Sequence, residues 1–121
     1  MKTLKYTRQF KKDLKKIQHN PKRIIALKKV LKILQETGIL PKEYKPHFLE
    51  GVYKGFMECH VESDLLLIWL DTEANIIKLI RLGAHSELFK KTLLSHQNSH
   101  LTEKEGRKGI SINALYLSFL R

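Results

Sequence analysis

The hydrophobic repeat of this chain changes once, and that change limits the folds open to it. Between Phe10 and Leu34, apolar residues recur every three or four positions. Phe10, Leu14 and Ile17 form one set; Ile24, Leu27, Leu31 and Leu34, flanked by Val30 and Ile33, form the next. Such spacing puts each set on one face of a helix. From Val52 to Leu82 the repeat falls to two, or merges into short apolar runs, as strands require. A helical half followed by a strand half within 121 residues predicts one α+β domain, with helices packed on one sheet face.

Local signals set the element ends. Leu4 and Tyr6 alternate with Lys5, so residues 2–6 read as a short strand. Thr7 suits the N-cap of the first helix. Asn20-Pro21 closes that helix and opens the second, with Asn20 as cap and Pro21 in the first turn. Thr37-Gly38 supplies the stop. Pro41 and Pro46 punctuate a loop that carries His47. Over 52–61, alternation assigns Tyr53, Gly55, Met57, Cys59 and Val61 to one strand face and Lys54, Phe56, Glu58 and His60 to the other. Glu62-Ser63-Asp64 reads as a tight hairpin connection. Residues 65–70 are apolar on both faces and read as a central strand. Residues 76–82 complete an antiparallel three-stranded meander, and Ser86 is placed to cap a short helix carrying Leu88 and Phe89. With the helices on one face, the stripe of Lys54, Phe56, Glu58 and His60 belongs on the open face.

Charge is distributed unevenly. The chain has 23 Lys+Arg against 12 Asp+Glu, a net charge of +11. Residues 1–35 hold 12 basic side chains and one acidic one, Asp13, while residues 36–121 hold 11 of each sign. The excess therefore sits entirely in the N-terminal segment, which points to a polyanionic partner. The alternative is a solvated lysine-rich face; an anionic membrane is disfavoured because the first helix has only Phe10 as a bulky aromatic. No apolar run is long enough to cross a bilayer. The first residues lack the uninterrupted apolar stretch of a secretory signal. Cys59 is the single cysteine, so no intrachain disulfide forms, as expected of a reducing cytoplasm. No glycine-rich phosphate loop is present.

Residues 44–89 carry the candidate chemistry. His47 precedes a strand, His60 ends one and His85 follows another, with Lys54, Glu58, Asp64 and Arg81 nearby. Imidazole is the side chain best suited to moving protons near neutral pH. Three of them at one sheet edge suit acid–base chemistry on a phosphodiester. Each has a plainer use as well. His60 can cap a strand end, His47 can be a surface residue, His85 can cap a helix turn, and Glu58 and Asp64 can be hairpin ion-pair partners. Cys59 points to the core side and reads as an inert thiol, so zinc bound by Cys59 and His60, on opposite strand faces, is disfavoured. In the polar stretch further on, His96 and His100 have helical i,i+4 spacing but no convincing third ligand.

The same segment resembles the YafQ-type toxins of the RelE superfamily. The matching pieces are H-x-L-x-G (47–51), Y-K-G-F (53–56), E-C-H-V-E-x-D (58–64) and R-L-G-A-H-S-E-L-F (81–89). The resemblance covers about three-quarters of the chain. It implies a RelE-like domain over residues 1–91, with 92–121 as a C-terminal extension that the family does not explain, disordered or docked on the sheet. It implies a small cytosolic endoribonuclease that enters the ribosomal A site, cuts translated mRNA and is neutralised by a cognate acidic antitoxin. By position, His47, Glu58, His60, Asp64, His85 and Phe89 match the family's active-site pattern. Glu58 stands where that branch has Asp, and Leu65 where it often has Trp.

Such cleavage uses the 2′-oxygen as nucleophile on the adjacent phosphate. On this reading His85 is the general acid. The base is His60, oriented by Glu58 or Asp64, or Asp64 itself. His47, Lys54 and Arg81 bind phosphate, and Lys11, Lys12, Lys15, Lys16, Lys28, Lys29 and Lys32 contact ribosomal RNA phosphates. No metal or other cofactor is needed. Two other classes fit the residues: a non-catalytic RNA-binding module, and a translation-inhibiting toxin relative acting on another target.

Overall fold

The computed structural model describes residues 1–72 and 74–89. In chain order they form β1 (Thr3–Tyr6), α1 (Arg8–Ile17), α2 (Pro21–Glu36), β2 (His47–Phe48), β3 (Met57–Glu62), β4 (Leu65–Asp71), β5 (Ile76–Gly83) and α3 (His85–Leu88), with 3₁₀ turns at Lys42–Tyr44 and Gly51–Tyr53. The strands make one five-stranded sheet in the order β1-β5-β4-β3-β2. β1 runs parallel to β5, and every other neighbour pair is antiparallel.

The helices start where their caps allow. The Thr7 hydroxyl accepts the Phe10 N–H at 2.9 Å and donates to the Ile80 carbonyl at 2.8 Å, which ties the start of α1 to β5. The Asn20 side chain accepts the Arg23 N–H at 3.2 Å, with Pro21 opening α2. Gly38, at φ 77°, takes the left-handed conformation that lets the chain leave α2. Both helices lay their apolar stripes on one sheet face. Phe10, Leu14, Leu27, Val30, Leu31 and Leu34 meet Leu4, Cys59, Leu67, Trp69, Ile77 and Leu79 there, all buried. Each such side chain contributes about 1.5–3 kcal/mol by leaving water. A smaller cluster of Tyr53, Leu66, Ile68, Ile80 and Leu88 lies on the other face.

Three features differ from the sequence reading. The sheet has two strands more than the meander: β1 joins it beside β5, and His47 and Phe48 form the short edge strand β2 instead of loop. The strand expected over 52–61 begins only at Met57. Gly51 at φ 71° and Gly55 at φ 92° turn the chain back before it, and the Lys54 N–H closes the turn on the Gly51 carbonyl at 3.0 Å. Tyr53 therefore faces the open side, not the core side beneath the helices, and Lys54 lies exposed in the turn, off the Glu58–His60 stripe. Lastly, Ala84, not Ser86, stands at the N-cap of α3. The extension expected over 92–121 lies outside the described residues.

Candidate active site

The open face is assembled by strand register. Glu58 lies opposite His47 on one side and Ile68 on the other, so β2 brings an imidazole next to the carboxylate. His60 is two residues along the same strand and shares the side of Glu58. His60 pairs with Leu66, and Leu66 with Gly83, two residues before His85. The Ser63-Asp64 turn that joins β3 to β4 lies at that same end of the sheet. Residues 38 positions apart in sequence, from His47 to His85, thus gather around one strand.

Glu58 is the centre of the group. Its carboxylate Oε1 lies 3.0 Å from His47 Nε2. His47 Nδ1 lies 2.8 Å from the Lys45 carbonyl, which can only accept, so that nitrogen carries a hydrogen. Glu58 Oε2 is buried with no hydrogen-bond partner among the described residues. Burial raises the Glu58 pKa above the ordinary carboxylate value, and the nearby imidazoles of His47, His60 and His85 pull it partly back. The carboxylate thus senses all three histidines. Its hydrogen bond goes to His47, which corrects the expectation that it orients His60. No hydrogen bond reaches the ring nitrogens of His60 or His85 among the described residues. The His85 ring packs on Phe89, with centroids 4.8 Å apart and planes tilted 36°.

Two of the expected site residues lie elsewhere. Arg81 is only 2% exposed and is not a free phosphate ligand. Its Nε donates to Asp13 Oδ2 at 2.7 Å and its Nη2 to Asp13 Oδ1 at 3.2 Å, while the Leu82 N–H donates to the same Oδ2 at 2.9 Å. The reason is topological. β1 stops at Tyr6, opposite Leu79, and beyond it the Asp13 carboxylate replaces the missing strand as acceptor for β5. Lys54 is exposed in its turn, as described above. Asp64 sits exposed at the hairpin tip, at the His60 end of the sheet. Lys11, Lys12, Lys15, Lys16, Lys28, Lys29 and Lys32 are all exposed on the helix layer, on the opposite side of the sheet from the histidines. Lys16 reaches toward the site, 3.8 Å from Glu87 of α3. Leu65 is fully buried in the main core, and burial drives the Cys59 thiol up to about 12, which keeps it inert.

Sequence reasoning missed Tyr53 and Asp13. Asp13 carried a signal, as the single acid among twelve bases over residues 1–35. Tyr53 carried none, because the alternation ran on through the glycine turn. Among the described residues no three of His, Cys, Asp and Glu are grouped to hold a metal ion. No described helix is long and apolar enough to cross a membrane.

Known proteins are similar to this chain in sequence and fold. The chain is 37% identical over 87 residues to the mRNA interferase toxin YafQ of Escherichia coli K12, a match covering 71% of this chain and 94% of that protein. A metal-bound toxin from Helicobacter pylori superposes with a TM-score of 0.66 at 41% identity, over 74% of this chain and all of the other. The E. coli DinJ–YafQ complex matches with a TM-score of 0.65 at 35% identity, again over 74% of this chain and 100% of that one. Residues 2–90 match the family model described as a bacterial toxin of type II toxin–antitoxin systems, YafQ. That span takes in the whole sheet, both helices and every histidine around Glu58, and on it this chain belongs to the YafQ toxin family.

Proposed function

We propose that this chain is a ribosome-dependent mRNA interferase, the toxin of a type II toxin–antitoxin pair, which cuts translated mRNA by acid–base catalysis. The observation that carries the reading is the grouping of His47, His60 and His85 about the buried Glu58, on the sheet face opposite α1 and α2. Its relatives are named as mRNA interferases, and one is seen bound to an antitoxin, DinJ. The toxin domain spans residues 1–91, and truncation after Lys91 leaves activity intact. The protein acts in the cytoplasm.

In this scheme the 2′-hydroxyl gives its proton to His60 as its oxygen bonds to phosphorus, and the bond to the 5′-oxygen breaks. His85 gives a proton to that leaving oxygen. The products are a 2′,3′-cyclic phosphate and a free 5′-hydroxyl. Each well-placed proton-transfer group contributes about 10²–10⁴-fold. His47, pinned between Lys45 and Glu58, helps to bind the phosphate, and Asp64 lies at the His60 end to assist the base. No step is assigned to a metal, so chelators leave the rate unchanged. Arg81 has no place in the chemistry, because it is buried and its Nε and Nη2 are held by Asp13.

The lysines of α1 and α2 hold ribosomal RNA phosphates, and an acidic antitoxin covers the same basic surface and the cleft. Induction in cells, followed by primer extension on cellular mRNA, tests the proposal. Wild-type protein produces cleavage ends within translated reading frames, and His85→Ala produces none. Growth arrest without new mRNA ends would point instead to a toxin relative acting on another target.

A further inference from the structure

α3 has four residues, too few to hold its own conformation, so the direction of His85 must come from contacts outside it. One chain of contacts leads to it from the far side of the sheet. Asp13 of α1, 2% exposed, clamps Arg81 through two hydrogen bonds and fixes the backbone of Leu82 through a third. The Tyr53 phenol is coupled electrostatically to the same guanidinium. The Tyr53 ring, 1% exposed, meets Phe89 edge-on, with centroids 6.1 Å apart and planes at 90°. Phe89 in turn packs on the His85 ring at 4.8 Å. Edge-to-face contacts are directional, because the positive ring edge meets the negative face. We propose that Tyr53 is a positioning residue for His85, acting through the Phe89 ring and itself held by the Asp13–Arg81 pair. The inference rests on the reading of His85 as a proton-transfer group. Burial raises the Tyr53 pKa, and Arg81 offsets only part of that rise, so the hydroxyl stays a neutral phenol for the guanidinium to donate to. Asp13, the one acid among residues 1–35, thereby serves the open face as well as the fold.

Tyr53→Phe removes the hydroxyl and keeps the ring, so the test avoids the folding risk of changing Asp13 or Arg81. Single-turnover cleavage of ribosome-bound mRNA is measured for wild type, Tyr53→Phe, His85→Ala and the double variant. A misplacement of about 1 Å costs on the order of 10²-fold, and loss of one hydroxyl anchor is expected to cost roughly tenfold in rate, with KM unchanged. In the double variant Tyr53→Phe adds nothing to the His85→Ala defect. A wild-type rate for Tyr53→Phe, or defects that multiply, overturns the relay. The ring ¹³C resonances of His85 decide the matter without activity. They shift in Tyr53→Phe while those of His60 stay, even if wild-type protein cuts no RNA and the enzymatic reading fails. Unmoved His85 resonances overturn the relay in either case.

Discussion

The two faces of the sheet do different work. Under the helices, Phe10, Leu14, Leu27, Leu31, Leu67, Trp69 and Leu79 form an apolar layer shut from water. On the other face, Leu66, Ile68, Ile80 and Leu88 make a thin apolar floor beside Glu58, His60 and His85. The first holds the fold together. The second accepts the cost of a buried carboxylate to bring imidazoles together. Stability and chemistry are therefore separable by face, with Asp13–Arg81–Tyr53 as the bridge. Each variant below tests that separation.

The largest stability effect falls on the bridge. Asp13→Ala leaves a buried guanidinium and the Leu82 N–H without their partner, and breaking a buried ion pair costs about 3–5 kcal/mol. Chemical denaturation should show this loss. A midpoint near that of wild type would mean that the pair does not join helix to sheet.

Next come the cores. Leu31→Ala on the helix face is expected to cost about 2–5 kcal/mol, while cleavage per folded molecule stays at the wild-type rate. A catalytic defect beyond the unfolded fraction would break the division between faces.

A smaller effect concerns the basic layer. Lys11, Lys12, Lys15, Lys28, Lys29 and Lys32 lie behind the sheet, so single Lys→Ala changes should weaken ribosome binding and lower its log–log salt slope by about one each. The rate of the bound complex should not change. Salt-independent binding would reduce these lysines to a solvated face.

The smallest sharpens the account of Glu58. Its carboxyl is raised above the ordinary 4.5, so the unfolded state ionises first as pH rises and the folded state loses stability through that window. Glu58→Gln cannot ionise. Its thermal midpoint should match that of wild type below about pH 4.5 and exceed it at neutral pH, while cleavage falls. A lower midpoint at neutral pH would mean that the His47 bond outweighs the cost of burial.

Much of this was legible because much of it is local. The caps at Thr7 and Asn20 and the stripes of both helices are written within a few residues of the elements they define. The three histidines were visible as residues flanking strands. The remainder needed distance. The parallel pairing of β1 with β5 spans more than 70 positions, from Thr3 to Ile76. Arg81 read as a phosphate ligand because Asp13 lies 68 residues before it. The start of β3 was misplaced because a period of two persists from Tyr53 to Val61, while Gly51 and Gly55 break the backbone without breaking the pattern. Glu58 was read as a partner of His60 because no local signal shows β2 beside β3.

The central claim is that His60 and His85, on the open face, carry the proton transfers. Single-turnover cleavage of ribosome-bound mRNA by His60→Ala and His85→Ala, followed across pH, tests it most directly. Wild type should show a bell-shaped profile. Each variant should lose its own limb and about 10²-fold or more in rate, while ribosome affinity and thermal midpoint stay near wild type. Wild-type rates in both variants would contradict the account.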